Sequence, residues 1–516
     1  MNGAESLVHT LLKSGIDTCF ANPGTSEMHF VAALDRIPGM HCVLGLHETV
    51  VTGMADGYAR IAGKPACTLL HCGPGLANGI ANLHNARRGR SGIVNIVGDQ
   101  ATYHRPLDAP LTADTEALAR VVSAWVRTTQ TPQEVGRDTA EAVRAARTHP
   151  GQVATLILPA DASWGDGGEV AEPLPAAAAP PVDPAAVDGA ARLLRGKGEG
   201  RTLLLLAADA LLGDGPSLAY GIAAATGADV MAQFLTGNLQ RGQGRWPLAR
   251  VPYTVEAALE ALAPYDRIIQ VGATPPVSFF GYPGKPSQMF PPQAVLHVLS
   301  RPDQDGIAAL RALADEVGAT ALPPPQSNAD SAPLPTGAPH AEGLARVLAA
   351  LVPEGGIICE ESVSFGGGTG PAYDAAAPHT WISLTGGAIG DGFPLATGAA
   401  IGAGGQRRVI SLQADGSGLY SLQALWTQAR ERLPCTTIVL ANRRYQILLG
   451  EYAGVGANPG PTAMDMLDLG NPVIDWIALA RGFGVEAART DTLEGLADLL
   501  RASLLRDGPF LIELVI

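Results

Sequence analysis

Residues 414–445 read ADGSGLYSLQALWTQARERLPCTTIVLANRRY. The apolar run before them turns at Asp415-Gly416, passes through an amphipathic helical pattern, and returns as the buried strand 436–440. Strand, helix, strand is a βαβ unit whose crossover is right-handed. Asp415 and Asn442 then sit at the carboxyl ends of two parallel strands, where open α/β sheets bind ligands. A carboxylate and an amide are hard oxygen donors. They suit an octahedral Mg²⁺ that keeps contact with phosphate oxygens.

The same pattern repeats outward along the chain. Residues 1–165 carry strands at 18–21, 42–46, 66–71, 92–97 and 153–158, with helices at 4–14, 49–62 and from the Gly73-Pro74-Gly75 turn to about 87. Residues 186–320 carry strands at 202–207, 229–232, 266–271 and 294–299, and lack a G-x-G-x-x-G phosphate loop. Residues 341–516 carry 356–359, 409–413, 436–440 and 510–514. Two Gly/Ala/Pro-rich stretches, 166–185 and 321–340 (ALPPPQSNADSAPLPTGAPH), read as linkers. The reading predicts an α/β protein of three doubly wound parallel-sheet domains.

A chain of 516 residues has room for about three domains. A net charge of −14 argues against nucleic acid or an anionic membrane as the main partner. The six cysteines form no Cys-x-x-Cys pair, which predicts reduced thiols and a cytoplasmic protein. The start, MNGAESLVHTLLKSG, reads as an amphipathic helix without a signal-peptide core. No apolar run reaches the ~18 residues that a membrane helix needs.

Asp415-Gly416 with Asn442 resembles the signature of thiamine-diphosphate (ThDP) enzymes, a Gly-Asp-Gly followed by an Asn-Asn pair whose second Asn is the ligand. The separation here is 27 residues. Ala414 stands for the first Gly of that signature and Ala441 for its first Asn. The literal Gly-Asp-Gly triplets around Asp166, Asp214 and Asp391 lead, at the same spacing, to Leu193, Arg241 and Gly418, none of them a metal ligand. Taken whole, the chain resembles the ThDP-dependent decarboxylase and acetolactate synthase superfamily, closest to its benzoylformate decarboxylase-like and acetolactate synthase large-subunit-like members.

That resemblance implies a pyrimidine-binding domain at 1–165, a central domain at 186–320 and a diphosphate/Mg-binding domain at 341–516. It implies ThDP and Mg²⁺ as cofactors, and no FAD is expected because the short central stretch shows no arginine-rich flavin-binding segment. It also implies a homodimer or a dimer of dimers (a homotetramer), with active sites at the subunit interface.

Residue by residue, Glu48 in LHETVVTGMADGYARIAGKPA matches the glutamate that hydrogen-bonds the aminopyrimidine, with a pKa raised by burial. His71 matches an active-site histidine that moves protons, and Thr25 in NPGTSE a contact to the substrate carboxylate. Glu361, Ser362, Gly416, Ser417 and Tyr445 fall in the diphosphate-binding set. Gly387 would offer a carbonyl to the cofactor's amino group, and Ile389 an apolar wedge beneath it. Asp415, Asn442 and the Arg444 carbonyl would hold the metal. Ile447 and Glu451 would line the substrate end. Plain structural readings stand beside these: a helix-start glutamate for Glu48, a turn cap for Thr25, core packing for Ile389. His47, if the strand before it continues, points away from Glu48 into the core.

The implied reaction is decarboxylation of a 2-oxo acid through a C2-carbanion and enamine. The alternative is an acetolactate synthase-like carboligase, and the third an inactive paralogue. Residues 108–126, DAPLTADTEALARVVSAWV, resemble the decarboxylase version and lack the synthase's Ala-Phe-Gln-Glu run. The segment 275–290, PPVSFFGYPGKPSQMF, has no counterpart of the benzoylformate decarboxylases' second histidine. Phe279, Phe280 or Tyr282 stands in that space.

Overall fold

The computed structural model describes residues 1–196, 200–326, 333–365 and 370–516. Part of the second linker, 327–332, lies outside the described residues. The strands, in chain order, are β1 Thr18–Ala21, β2 His41–Leu44, β3 Ala66–His71, β4 Ile93–Asp99, β5 Trp125–Thr128, β6 Val153–Pro159, β7 Arg201–Leu206, β8 Asp229–Ala232, β9 Leu239–Arg241, β10 Tyr265–Val271, β11 Val295–Ser300, β12 Ile357–Glu361, β13 His379–Ser383, β14 Val409–Ala414, β15 Cys435–Ala441, β16 Glu486–Thr490 and β17 Phe510–Val515.

They form three sheets, ordered β2-β1-β3-β4-β6-β5, β11-β10-β7-β8 and β16-β17-β15-β14-β12-β13-β9. All neighbours run parallel except β9 against β13. Central strands such as β4, β6 and β15 are buried along their whole length. Helices cover both faces of such strands, so they read as continuous apolar runs.

Four strands escape the sequence pattern, and three of them lie at sheet edges. β5 is half-buried throughout, β16 (EAART) is mostly polar, and β9 has three residues. Half-covered edges lack the apolar run that marks a central strand. β9 departs from the expected unit boundaries, because it leaves the second sheet's stretch of chain to pair with the third sheet. There Arg241 lies over Tyr373 and Trp381, 5.5 and 5.2 Å from the ring centroids.

One expectation fails at residue 47. β2 ends at Leu44, and a helix runs Glu48–Ala62. His47 caps it, its Nδ1 accepting the Thr49 amide at 3.1 Å. An imidazole acceptor at the N-cap satisfies an amide the helix leaves unpaired, which outweighs continuing a short strand.

The first and third units share a core. The helix Glu48–Ala62 packs along the helix Gly392–Gly402, and Met54, Ala55 and Tyr58 join one apolar cluster with Phe393, Ala424, Trp476 and Leu511. The crossing is close because it is built on glycine: a Cβ at Gly57 would strike the Leu395 carbonyl, and one at Gly398 the Met54 carbonyl.

Candidate active site

The strand order reverses twice beside chemistry-bearing residues. In the third sheet the chain passes from β12 to β13 on one side, then to β14 on the other. The crevice between β12 and β14 is therefore a topological switch point, where open sheets bind ligands. Ala414 pairs with Leu440 in register, so Asp415 and Asn442 leave the sheet close together.

Asp415 is 2% exposed. Its Oδ1 accepts the Gly416 amide at 2.8 Å and its Oδ2 the Arg443 amide at 2.6 Å. Burial pushes this carboxyl above the ordinary range, against the pull of those two amides. Asn442 Oδ1 accepts the Arg444 amide at 3.0 Å, with Arg443 in the left-handed region at φ 59°. The Arg444 carbonyl accepts from the Gln446 amide at 2.9 Å. Each of these oxygens keeps a further lone pair. The loop thus groups a buried carboxylate, an amide and a carbonyl, a donor set that fits a hard cation. Gly416 lies against the Tyr445 ring, where a Cβ would collide. Burial and the neighbouring Tyr420 push the Tyr445 phenol up.

Glu361 and Gln413 are register partners on β12 and β14 and bond at 2.9 Å. Gln413 Nε2 also donates to Ser417 Oγ at 2.6 Å. Glu361 is buried and gathers the amides of Gly390 and Gly392 at 2.7 Å each and of Asp391 at 3.3 Å. Both its oxygens are engaged by protein donors, so its first task is to anchor the 390–392 turn. Ser362 bonds Glu360 Oε1 through its amide and hydroxyl, at 3.0 and 2.6 Å. Gly387 has φ 80°, which favours glycine, and a Cβ there would strike Phe279. Ile389 is half-buried rather than sunk in the core.

The first sheet reverses in the same way, from β1 to β2 and back to β3. At that switch point His71, ending β3, meets Glu27. Its Nδ1 lies 2.9 and 3.2 Å from the two carboxylate oxygens. Glu27 is 2% exposed and also accepts the Gly24 amide at 2.7 Å. Ser26 Oγ reaches His71 Nδ1 at 3.2 Å and donates to Glu27. The side chain beside the histidine is therefore Ser26, while Thr25 starts the turn and is exposed.

Ligand atoms of Glu27, His71 and Cys72 come within 4.8 Å of one another. Burial pushes the Cys72 thiol up to about 11, which keeps it protonated at neutral pH. The carboxylate–imidazole pair is suited to holding and moving a proton. Glu48 is the first residue of its helix and is half-buried, and Asn78 donates to its Oε2 at 3.0 Å.

The helix Cys72–Gly89 grips loop 385–390 of the same chain. Asn82 donates to the Gly390 carbonyl at 3.3 Å. Asn85 exchanges bonds with Ala388 at 2.8 and 3.2 Å, and His84 Nε2 lies 3.1 Å from the Gly386 carbonyl. Arg60, paired with Asp56 at 2.5 Å, donates to the Ser383 carbonyl at 2.7 Å and Thr385 Oγ1 at 2.9 Å. The sequence reading passed over these residues together with Ser26 and Glu27. Their signal was present: Asn78, Asn82 and Asn85 fall at i, i+4 and i+7, one face of a helix.

Comparison with known proteins matches this geometry. Residues 1–124 match the family model described as thiamine pyrophosphate enzyme, N-terminal TPP binding domain, and residues 367–514 match the C-terminal TPP binding domain. The chain is 48% identical, over 100% of its length and 99% of the relative's, to a Mycobacterium tuberculosis protein provisionally named acetolactate synthase large subunit IlvX. It is 30% identical to the benzoylformate decarboxylase of Pseudomonas aeruginosa, over 98% and 96% of the two chains. Among solved structures, the ThDP-dependent 4-hydroxybenzoylformate decarboxylase of Rhodococcus jostii superposes with a TM-score of 0.82 at 25% identity, covering 100% and 99%. With two cofactor-binding units in place and a full-length relative at 48% identity, the chain belongs to the thiamine-diphosphate-dependent enzyme family, in its decarboxylase and acetolactate synthase branch.

Proposed function

We propose that this protein is a Mg²⁺-dependent ThDP enzyme that decarboxylates a 2-oxo acid and releases an aldehyde. The observation that carries the decarboxylase reading is the Ser26–Glu27–His71 cluster. Releasing an aldehyde needs a proton delivered to carbon, and a histidine held by a buried glutamate and touched by a serine hydroxyl is built to deliver one.

ThDP supplies, when bound, a nucleophilic thiazolium carbon and an electron sink. The chain's own residues do the rest. Asp415, Asn442 and the Arg444 carbonyl would hold Mg²⁺, which would offset the diphosphate's charge. Gly416, Ser417 and Tyr445, with Ser362 nearby, shape the diphosphate cradle, and Glu361 fixes its neighbouring turn. Gly387 and Ile389 present a carbonyl and an apolar wedge to the cofactor's middle. Glu48 hydrogen-bonds the aminopyrimidine and sets its tautomer. Ser26 or Thr25 orients the substrate carboxylate.

Residues 1–165 serve the pyrimidine and 341–516 the diphosphate, with 186–320 between them. Two such chains pair as a cytoplasmic homodimer or dimer of dimers, so that Glu48 of one faces the diphosphate unit of the other.

Product analysis tests this reading. Protein loaded with ThDP and Mg²⁺ is incubated with pyruvate and with benzoylformate, and CO₂ and organic products are quantified. Aldehyde with stoichiometric CO₂ is expected. Acetolactate as the main product from pyruvate would replace the reading with the carboligase one.

A further inference from the structure

Beside loop 385–390 lies a closed cycle of side chains that the cofactor reading leaves unused. It starts at Glu451, on the helix Gln446–Val455. Glu451 Oε1 accepts the Tyr253 hydroxyl at 3.0 Å and Oε2 the Tyr282 hydroxyl at 2.9 Å. Ring contacts close the circuit: Tyr253 to Phe279 at 5.7 Å between centroids, Phe279 to Phe280 at 5.0 Å, and Phe280 to Tyr282 at 6.5 Å. Phe234 backs Tyr253 at 5.4 Å. Phe279 rests on Gly387, which places one wall of the cycle against the loop assigned above to the cofactor. Phe279 and Phe280 are 39% and 55% exposed, so the cycle is open on that side.

We propose that this cycle is a subsite for a positively charged tail, and that the 2-oxo acid decarboxylated here carries a guanidinium or ammonium group. The inference rests on the function proposed above and names its substrate class. A half-buried carboxylate ordinarily pairs with a basic side chain, yet among the described residues Glu451 has two phenols and no cation. The two phenol hydroxyls donate one to each carboxylate oxygen, and each oxygen keeps a further lone pair. The aromatic faces around it attract cations through their quadrupoles. Lys285 illustrates this from outside, 5.3 Å over Tyr282, while it is tied to Glu256 at 2.6 Å. A planar guanidinium combines stacking on such rings with bonds to a carboxylate. A neutral aryl or alkyl tail would instead strip water from Glu451 without replacing its partner, an unfavourable exchange.

The test uses loaded enzyme and three 2-oxo acids: 5-guanidino-2-oxopentanoate, benzoylformate and 4-methyl-2-oxopentanoate. The proposal predicts a kcat/KM for the guanidino acid at least about tenfold above either neutral acid. Glu451→Gln should lower the ratio of guanidino to neutral kcat/KM by about tenfold or more, chiefly through KM. Calorimetry with 5-guanidinopentanoate, which lacks the reactive ketone, supplies a readout independent of turnover. It should bind the native protein and bind Glu451→Gln at least about tenfold more weakly. A preference for neutral acids, or equal binding by the two proteins, overturns the subsite. Binding without turnover of any 2-oxo acid would leave the subsite standing and overturn the decarboxylase reading instead.

Discussion

Glu48 begins the helix that His47 caps, a few residues after β2 ends at Leu44. Replacing Glu48 with Gln keeps the shape and removes the acid. Turnover should fall by about 10²-fold or more, the usual weight of a positioned acid–base group, while calorimetric ThDP affinity stays within about threefold. Unchanged turnover would refute the role.

Asp391 makes a second prediction. It is 0% exposed, and among the described residues neither carboxylate oxygen has a hydrogen-bond partner. Burial, and the nearby charge of Asp56, push its carboxyl well above the ordinary value. A carboxyl raised in the folded state gives stability that is full below the unfolded pKa and declines as pH rises towards the folded one. The decline is at most about 1.4 kcal/mol per pH unit. Asp391→Asn fixes the neutral form, so its unfolding midpoint should fall less than the native protein's between pH 5 and pH 8. Parallel curves would contradict this.

Residue-scale chemistry was only partly legible. That Asp415 and Asn442 leave neighbouring strands close together was readable, because their spacing follows a βαβ unit. Glu27 was not, because its partner His71 lies 44 residues on and meets it only where β1 and β3 run side by side. Nothing in the sequence around Asp391 announces that its carboxyl is fully buried.

Among the elements, the helix pair Glu48–Ala62 and Gly392–Gly402 bears the contact between the outer units. Its glycines touch opposing backbone, which a larger residue cannot push aside like a flexible side chain. Gly398→Ala should therefore destabilise the protein by about 1–3 kcal/mol, the usual cost of overpacking, read as a lower denaturation midpoint. An unchanged midpoint would show that the crossing can open freely. Glu361→Gln, measured the same way, should cost about 1–3 kcal/mol by weakening the bonds to the 390–392 turn, and should loosen ThDP binding as well.

Buried central strands and long amphipathic helices were legible because burial on both faces writes a continuous apolar run. β5, β9 and β16 were not, since edge strands alternate weakly or are too short. β9 shows the limit most clearly. Its pairing with β13 joins residues 138 apart in sequence at Arg241 and His379, and no local signal specifies that partner.

For the whole molecule, the α/β plan of three parallel-dominated sheets was visible in the alternation of strands and helices. What was hidden is how the units grip one another. Arg60, Asn82, His84 and Asn85 tie loop 385–390 and the adjoining Ser383 to the first unit within one chain. Among the described residues no helix is long and apolar enough to cross a membrane.

Sedimentation at micromolar concentration should give a dimer or tetramer, with ThDP and Mg²⁺ favouring association, because a ligand shared between subunits stabilises the assembly that binds it. A monomer that turns over substrate would contradict the shared site.

The most direct test of the account is a calorimetric titration of the apoprotein with ThDP, with Mg²⁺ and with EDTA, in native protein and Asp415→Ala. The account predicts one ThDP per chain with Mg²⁺, and affinity at least about tenfold weaker both with EDTA and in the variant. ThDP binding of equal strength in all three conditions would show that Asp415 and Asn442 hold no metal, and the reading that began at residues 414–445 would fail.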